Sequence, residues 1–331
     1  MDPLDGTSSK AEARPAARSS PRGIAADLIA VLVAVTSGEP RVLTIRDQRA
    51  LPSGPFELAH RSLQAGLRAW VERQTRLPLG YVEQLYTFAD QDRAGAAAQH
   101  AISISYLGLT REHPVFGEHD ASWCGWYDYF PWEDHRVGTP PLIKQALQPG
   151  LQAWASSASD RAAQRIRRQR AAMLFGFEGH AWNEELVLQR YELLYEARLV
   201  PEALRGNSSQ SRSADAVLSQ TPGKAMILDH RRILATGMAR LRAKIKYHPV
   251  VFELMPDTFT LLQLQRCVEA LAGRQVHKPN FRRLIAQQEL IEETGETSQD
   301  GGGRPAKLFR FRGAVFAERA IAGTKLPITR T

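Results

Sequence analysis

One stretch of sequence decides the fold of the C-terminal third. It runs from Asp257 to Glu296 and reads DTFTLLQLQRCVEALAGRQVHKPNFRRLIAQQELIEETGE. Its first half predicts a helix that begins after Thr260. Thr260 and Gln263 have the spacing of a capping box, in which each side chain satisfies a backbone N–H group of the first turn. We expect this helix to end at Gly273, because glycine readily adopts the left-handed conformation that follows many helices.

A second helix is predicted from Lys278 onward, where a proline suits the first turn. We expect Phe281, Leu284 and Ile285 to face the core. The other side carries groups that can bind nucleic acid, because asparagine can pair with adenine and arginine with guanine or phosphate. These DNA-binding candidates are Lys278, Asn280, Arg282, Arg283 and Gln287. Two helices joined by a tight turn, the second with such a face, are the parts of a helix-turn-helix.

The residues after this helix predict a β-hairpin. A short strand from Leu290 to Glu293 is followed by the glycine-rich loop GGGRPAK (301–307) and by a strand from Leu308 to Arg312. Glycine permits close approach of the backbone, and Arg304 and Lys307 can reach phosphate or the minor groove. A plain solvated loop is the alternative, but helix, turn, helix and hairpin together favour a winged helix that binds DNA.

The excess of basic over acidic residues lies in the same C-terminal region. The net charge is +8, and from Ala225 to the end there are 18 Lys and Arg against 10 Asp and Glu, so the preceding residues are neutral overall. A basic module beside a neutral one suggests a domain that binds a polyanion, although basic surfaces also keep proteins soluble and the charge alone leaves both readings open. Lys244 and Lys246, in a predicted helix before the helix-turn-helix, are further candidates for phosphate contacts.

The length of 331 residues, 43% of them hydrophobic, suits two domains with real cores. Residues 1–22 are rich in Ser, Ala, Pro and Arg and predict a disordered arm, and residues 206–224 predict a polar linker. The rest divides into an N-terminal domain over 23–205, a winged helix domain over 225–318 and a tail over 319–331.

Strands alternate with helices in the N-terminal domain, which predicts the α/β (α+β) class. The strands are expected at 25–46, 81–88, 101–108 and around Trp126, and the helices at 62–74, 151–173 and 184–197. We expect the aromatic residues from Trp123 to Trp132 in a core or a dimer interface rather than stacked on adenine. The arginines between 161 and 170 are interpreted as a solvated helix face, with a second contact to DNA or nucleotide as the alternative.

Two observations bear on the compartment and on metals. The two cysteines, Cys124 and Cys267, make no disulfide framework and are typical of a reducing cytoplasm. The longest apolar run, Leu28 to Val35, is too short to span a membrane, so we expect a cytoplasmic protein with no membrane partner. The His, Cys and Asp residues between 113 and 135 match no compact zinc motif, so no metal site is expected.

Residues 54–76 read GPFELAHRSLQAGLRAWVERQTR and resemble a degraded Nudix box, whose family pattern is G-x5-E-x7-R-E-U-x-E-E-x-G-U, with U a bulky apolar residue. The matching positions are Gly54, Arg68, Trp70 and Glu72. His60, Ala69 and Arg73 stand at glutamate positions of the pattern, and Thr75 stands at its second glycine. An ordinary amphipathic helix is the alternative interpretation of this stretch taken alone.

The resemblance implies a site without hydrolase chemistry. In the Nudix family, glutamates on one helical face hold divalent ions against a pyrophosphate, and Mg²⁺ needs such carboxylate oxygens. Only one of those carboxylates remains here, so we expect no enzyme activity and no metal. Cationic groups can still offset the charge of a phosphate-bearing ligand. The candidates for binding a nucleotide effector are Arg46, Glu57, Arg68, Glu72 and Arg73.

The run from Ile233 to Glu296, followed by GRPAKLFRFR (303–312), closely resembles the C-terminal half of Nudix-related transcriptional regulators of NAD metabolism. GYVEQLYTFAD (80–90) resembles the segment that follows their Nudix box. The long N-terminal arm and the helical segment near 150–180 suggest the NadQ-type branch of these NrtR-like proteins.

This second resemblance implies a Nudix-like α/β/α sandwich followed by a winged helix. It also implies a homodimeric repressor of genes for NAD synthesis or salvage, which binds a palindromic operator in double-stranded DNA. The effector would be ADP-ribose, NAD or ATP, with no further cofactor. An active Nudix-type pyrophosphatase acting on ADP-ribose-like nucleotides is the alternative, and a scaffold whose winged helix binds protein is a third reading.

Overall fold

The computed structural model describes residues 25–80, 82–89, 101–115, 120–205, 222–245, 250–298 and 305–313. The predicted arm (1–22), the tail (319–331) and all of the linker except residues 222–224 lie outside these ranges.

A mixed sheet forms the centre of the N-terminal domain. Its strands are β1 (Ala25–Thr36), β2 (Glu39–Thr44), β3 (Ser53–Pro55), β4 (Val82–Phe88), β5 (Ala101–Leu109) and β6 (Ser122–Gly125). They lie in the order β4-β5-β1-β2-β6, with β3 beside β1. Strand β1 is parallel to β5 and antiparallel to β2 and β3. Its residues from Leu28 to Ala34 are all buried, as expected of a strand with both faces covered.

Helices cover both faces of this sheet. On one face, Leu67 and Val71 of α1 (Leu63–Thr75) pack with Leu28 and Leu32. The other face packs against α6 (His230–Ile245), and α5 (Val187–Glu196) packs against α6. Helix α6 comes so close to β1 that a Cβ added at Gly237 would lie 3.0 Å from Val31 Cγ1. The predicted α/β/α sandwich is therefore confirmed. Helix α6, which we had assigned to the C-terminal domain, packs against the sheet and completes the sandwich.

The middle of the chain differs from the prediction in two places. The single helix expected at 151–173 is two helices, α3 (Gln148–Ser156), which continues a π-helical turn at Ile143–Leu147, and α4 (Arg161–Phe175). The break is a polar turn, and Asp160 caps the new helix by accepting a 2.8 Å hydrogen bond from Ala163 N.

The aromatic stretch around Trp126 is helical rather than extended. Strand β6 ends at Gly125, and the short helix α2 (Trp126–Tyr129) follows. The side chains of Trp126, Tyr129, Phe130 and Trp132 are fully buried, so of the two predicted places, core or dimer interface, these four lie in the core.

The C-terminal elements form a helix-turn-helix with a wing. A 3-10 turn (Val250–Leu254) precedes α7 (Leu261–Ala272), α8 (Lys278–Gln287), β7 (Ile291–Ser298) and β8 (Ala306–Phe311). Both bonds of the predicted capping box are present, Gln263 N to Thr260 Oγ1 at 3.2 Å and Thr260 N to Gln263 Oε1 at 2.7 Å. Gly273 ends α7 with a φ of 70°. Within the described ranges, no helix has the length and apolarity needed to cross a membrane.

Candidate functional site

Helix α8 carries five polar side chains that are exposed. Lys278, Asn280, Arg282, Arg283 and Gln287 are all exposed, and none of them bonds to another side chain of the described residues. The helix is fixed to the domain by Phe281, which is 7% exposed. Asn280, Arg283 and Gln287 are spaced by three and four residues and so share one side of α8, whereas Lys278 and Arg282 project from a different side.

The inner face of α8 is less buried than expected. Leu284, which we predicted to face the core, is 47% exposed. It borders an open cleft of about 490 Å³, which is also lined by Val268 and Ile285. The prediction was wrong because helical periodicity identifies the apolar side of a helix but does not show whether the space beside it is filled.

The wing is a hairpin whose charges pair across the strands. Lys307 lies on β8, and its ammonium group is 2.9 Å from both carboxylate oxygens of Glu293 on β7. Arg310 pairs in the same way with Glu292 at 2.7 Å. Such exposed ion pairs contribute at most about 1 kcal/mol to the stability of a protein. A DNA phosphate can therefore compete with Glu293 for the ammonium group of Lys307. Arg304, the other predicted wing contact, lies outside the described residues.

Lys244 is not part of a free basic surface. Its ammonium group contacts the carboxylate of Glu83 on β4, and both side chains are partly buried. The pair joins α6 to the edge of the sheet, so the prediction that Lys244 contacts phosphate is replaced by a structural role. Lys246 lies outside the described residues.

A buried ion network, which the sequence did not reveal, lies where the sheet meets α7. Glu133 accepts bonds of 2.6 and 2.8 Å from Arg190 and one of 2.6 Å from Arg242, and all three side chains are fully buried. Burial alone would raise the pKa of Glu133, but the two guanidinium groups hold it below its usual value. Arg242 follows Met238 by four residues, so its place on the buried face of α6 was visible in the helical spacing.

The same network ties the N-terminal domain to the end of α7. Arg242 Nε donates to Leu271 O at 3.0 Å, and Tyr127 Oη donates to Ala270 O at 2.7 Å. His135 N donates to Gly273 O at 2.7 Å. The segment after β6 and the first helix of the helix-turn-helix are therefore joined by buried or half-buried polar contacts.

The loop and helix that resemble a Nudix box form one packed unit. The indole of Trp70 lies directly over Gly54, where an added Cβ would overlap it, and its Nε1 donates to Pro55 O at 2.9 Å. The side-chain amide of Gln74 bonds to both the N and the O of Ser53, at 3.0 and 2.8 Å. His60 Nδ1 accepts from Glu57 N at 3.0 Å. The glycine and the bulky residue of the pattern thus pack against each other in space.

The structure separates the five effector candidates. Glu72 and Arg73 are exposed on α1, where the Arg73 guanidinium lies 4.5 Å from the centre of the Trp70 ring, and Glu57 is exposed in the loop before α1. Arg68 instead donates to the backbone oxygens of Leu79 and Gly80 and so holds the chain that follows α1.

Arg46 lies beside the buried His230 at the start of α6 rather than on α1. Burial and the neighbouring Arg46 lower the pKa of His230 to about 4, and its Nδ1 accepts a 2.9 Å bond from Leu51 N. Arg46 is itself exposed, but among the predicted set it is Glu57, Glu72 and Arg73 that are exposed at the loop and α1.

Potential metal ligands do not converge in the part of the chain that is described. No group of three His, Cys, Asp or Glu side chains there is arranged to hold an ion. His135 stacks on Trp182 with ring centres 3.9 Å apart, and Asp134 pairs with Arg136 at 2.8 Å. Cys124 and Cys267 are buried and free, and burial raises the pKa of Cys267 to about 12.

Comparison with known proteins agrees with this architecture. Residues 251–311 match the NrtR DNA-binding winged helix domain. A segment of 120 residues is 34% identical to the ADPR responsive transcriptional repressor NtrR of Acinetobacter baylyi and covers 36% of this chain and 48% of that protein. The chain thus matches about half the length of this curated relative.

Two solved structures share the fold over most of the chain. NrtR of Shewanella oneidensis in complex with a 27mer DNA has a TM-score of 0.52 at 18% identity, covering 88% of this chain and 95% of that one. The same protein without DNA has a TM-score of 0.50 at 18% identity, covering 87% and 94%. Residues 251–311 therefore match the NrtR DNA-binding winged helix domain, and most of the chain shares the fold of NrtR.

Proposed function

We propose that this chain is a transcriptional repressor that binds double-stranded DNA through α8 and the wing, and whose Nudix-like domain binds ADP-ribose as effector. The observation that carries the proposal is the match of residues 251–311 to the NrtR DNA-binding domain, together with the exposed polar face of α8. In this account the genes repressed are those of NAD synthesis or salvage, as the resemblance implies.

The chemistry of α8 suits the major groove. Asn280 and Arg283 lie three residues apart on one side of α8, and both are exposed. Asparagine can bond to the edge of adenine and arginine to that of guanine, so these two residues are the proposed base contacts. Lys278, Arg282 and Gln287 are proposed to contact the backbone beside them, where lysine and arginine neutralise phosphates.

ADP-ribose is the proposed effector because the curated relative is described as ADPR responsive. We place its pyrophosphate near Arg73 at the loop and α1, where the guanidinium is exposed beside the Trp70 ring. NAD and ATP share the charged pyrophosphate unit and are the competing effectors. The site is proposed to lack hydrolase activity, since His60, Ala69 and Arg73 replace carboxylates and the His60 ring is bonded to Glu57 N.

The repressor is proposed to act as a homodimer on a palindromic operator, because a twofold protein matches a twofold site. ADP-ribose would then act by binding one arrangement of the two winged helices better than the other. The buried contacts from the sheet to the end of α7 supply a stiff connection for that change.

Fluorescence anisotropy with DNA from the region upstream of the chain's own gene tests the proposal. We expect specific, salt-dependent binding that ADP-ribose shifts, and no release of AMP when ADP-ribose and Mg²⁺ are added. Sustained hydrolysis that is lost in Glu72→Gln would contradict the repressor account and favour a pyrophosphatase.

A further inference from the structure

Helix α4 carries a dense basic face outside the winged helix domain. Its 15 residues include five arginines and no acidic residue. Arg161, Arg165 and Arg168 are exposed, and none of them bonds to any other described side chain. Their spacing of four and three residues places them on one side of the helix, over about 10 Å of its axis.

The other two arginines hold α4 in place. The Arg167 guanidinium stacks over the Trp154 ring at 4.6 Å and donates to Trp154 O at 3.0 Å. Arg170 makes a two-bond ion pair with Glu196 of α5, at 3.1 and 2.6 Å. Asp160 caps the first turn. Because the helix is fixed on its inner side, the backbone positions of the three outer arginines form a fixed row.

The position of α4 connects it with the DNA-binding domain. Leu174 O, near the end of α4, accepts a 3.1 Å bond from Arg190, which belongs to the buried ion network. The loop after α4 leads to Glu184, whose carboxylate pairs with Arg274 at 3.1 Å, four residues before α8 begins. The 15 residues of α4 extend over about 22 Å from that junction.

We propose that Arg161, Arg165 and Arg168 form a second, sequence-independent contact with phosphates of the same duplex, flanking the operator half-site that α8 binds. The inference rests on the proposed DNA binding. Three unpaired guanidinium groups on a rigid helix are complementary to a regular row of phosphates. The partner is inferred to be DNA rather than an anionic membrane because the chain already contains a DNA-binding domain at the neighbouring junction.

The test is the salt dependence of operator binding by the full chain and by the triple variant Arg161→Gln, Arg165→Gln, Arg168→Gln. Each phosphate contact contributes about 0.9 to the slope of log K against log salt, so the variant should lose roughly 2.7 from the slope if all three arginines bind. Between 50 and 200 mM salt, the affinity advantage of the unmodified chain should therefore shrink by roughly 40-fold. Glutamine keeps the helix propensity, and circular dichroism checks the fold.

A matched control removes the same charge from exposed positions off α4, as Lys144→Gln, Arg198→Gln, Arg205→Gln. We expect its slope to differ from that of the unmodified chain by less than one. An equal loss of slope in the control, or an unchanged slope in the α4 variant, would overturn the inference while leaving operator binding intact. Absence of DNA binding by the unmodified chain would overturn the proposed function itself. A separate experiment measures binding to vesicles that contain anionic lipid. Vesicle binding that is lost in the triple variant, together with an unchanged DNA slope, would assign α4 to a membrane surface instead.

Discussion

Replacing Glu133 by glutamine should destabilise the protein strongly. Glu133 is fully buried and is the shared counter-ion of Arg190 and Arg242, which are fully buried as well. Glutamine has nearly the same shape, so the substitution removes the charge and little else. Removing one partner of a buried ion pair costs about 3–5 kcal/mol, because the remaining charge stays desolvated and unpaired.

Urea unfolding followed by circular dichroism measures this loss. A loss of that size is a large part of the roughly 5–15 kcal/mol by which proteins are usually stable. The matched control is Glu196→Gln, which removes the carboxylate from the exposed pair with Arg170. Its cost should be below about 1 kcal/mol, as for other exposed pairs. If Glu133→Gln cost no more than this control, the buried network would not be the source of stability that the distances imply.

Three further substitutions test other parts of the structure. Gly54→Ala should lower the free energy of unfolding in urea by about 1–3 kcal/mol, because the added Cβ overlaps the rigid Trp70 ring. The control Gly80→Ala should be nearly neutral, because its Cβ meets no atom within 4 Å, and equal costs in the two variants would show that the Trp70 contact is not the cause. The lowered pKa of His230 means that the folded state resists protonation, so the free energy of unfolding should fall by about 3 kcal/mol as the pH decreases from above 6.5 to 4. In His230→Asn, whose amide oxygen can accept from Leu51 N, unfolding measured between pH 7.5 and 5 should lose most of that dependence, and an identical pH profile in both proteins would contradict the assignment. Arg283→Ala should weaken operator binding about 5- to 150-fold in an anisotropy titration and leave the unfolding free energy within about 0.5 kcal/mol; unchanged affinity would remove Arg283 from the DNA contact.

The parts of the fold that were predicted correctly have local signals. The ends of α7 follow from Thr260, Gln263 and Gly273, which act within one turn of the helix. The hairpin and the exposed side of α8 also depend on neighbours in sequence. Both strands of the wing are nevertheless longer than predicted, because the strand pairing extends to Ser298 and Ala306.

The parts that were missed depend on contacts between distant residues. Lys244 was predicted to contact phosphate, but its partner Glu83 lies 161 residues earlier in the chain, and Glu133, the partner of Arg242, lies 109 residues earlier. No spacing within a helix specifies such a partner. The placement of α6 on the sheet depends on the same long-range packing. It brings two cations of the C-terminal third, Arg242 and Lys244, against carboxylates of the N-terminal domain.

The separation of the effector candidates has a similar cause. Arg68 matches the box pattern, yet its guanidinium is bonded to the backbone of Leu79 and Gly80. A pattern match identifies the type of residue at a position but not the groups that its side chain contacts in the folded chain. Arg73 was predicted to lie on α1 and is exposed there, so it remains a candidate cation for binding the effector.

Operator binding measured with and without ADP-ribose, at two salt concentrations, tests the central claim most directly. We expect nanomolar-range binding to DNA from the chain's own gene region, weaker at the higher salt, and a shift in affinity on addition of ADP-ribose. Salt-dependent binding that ADP-ribose, NAD and ATP all leave unchanged would contradict the effector role of the Nudix-like domain. Absence of specific binding at both salt concentrations would contradict the repressor function.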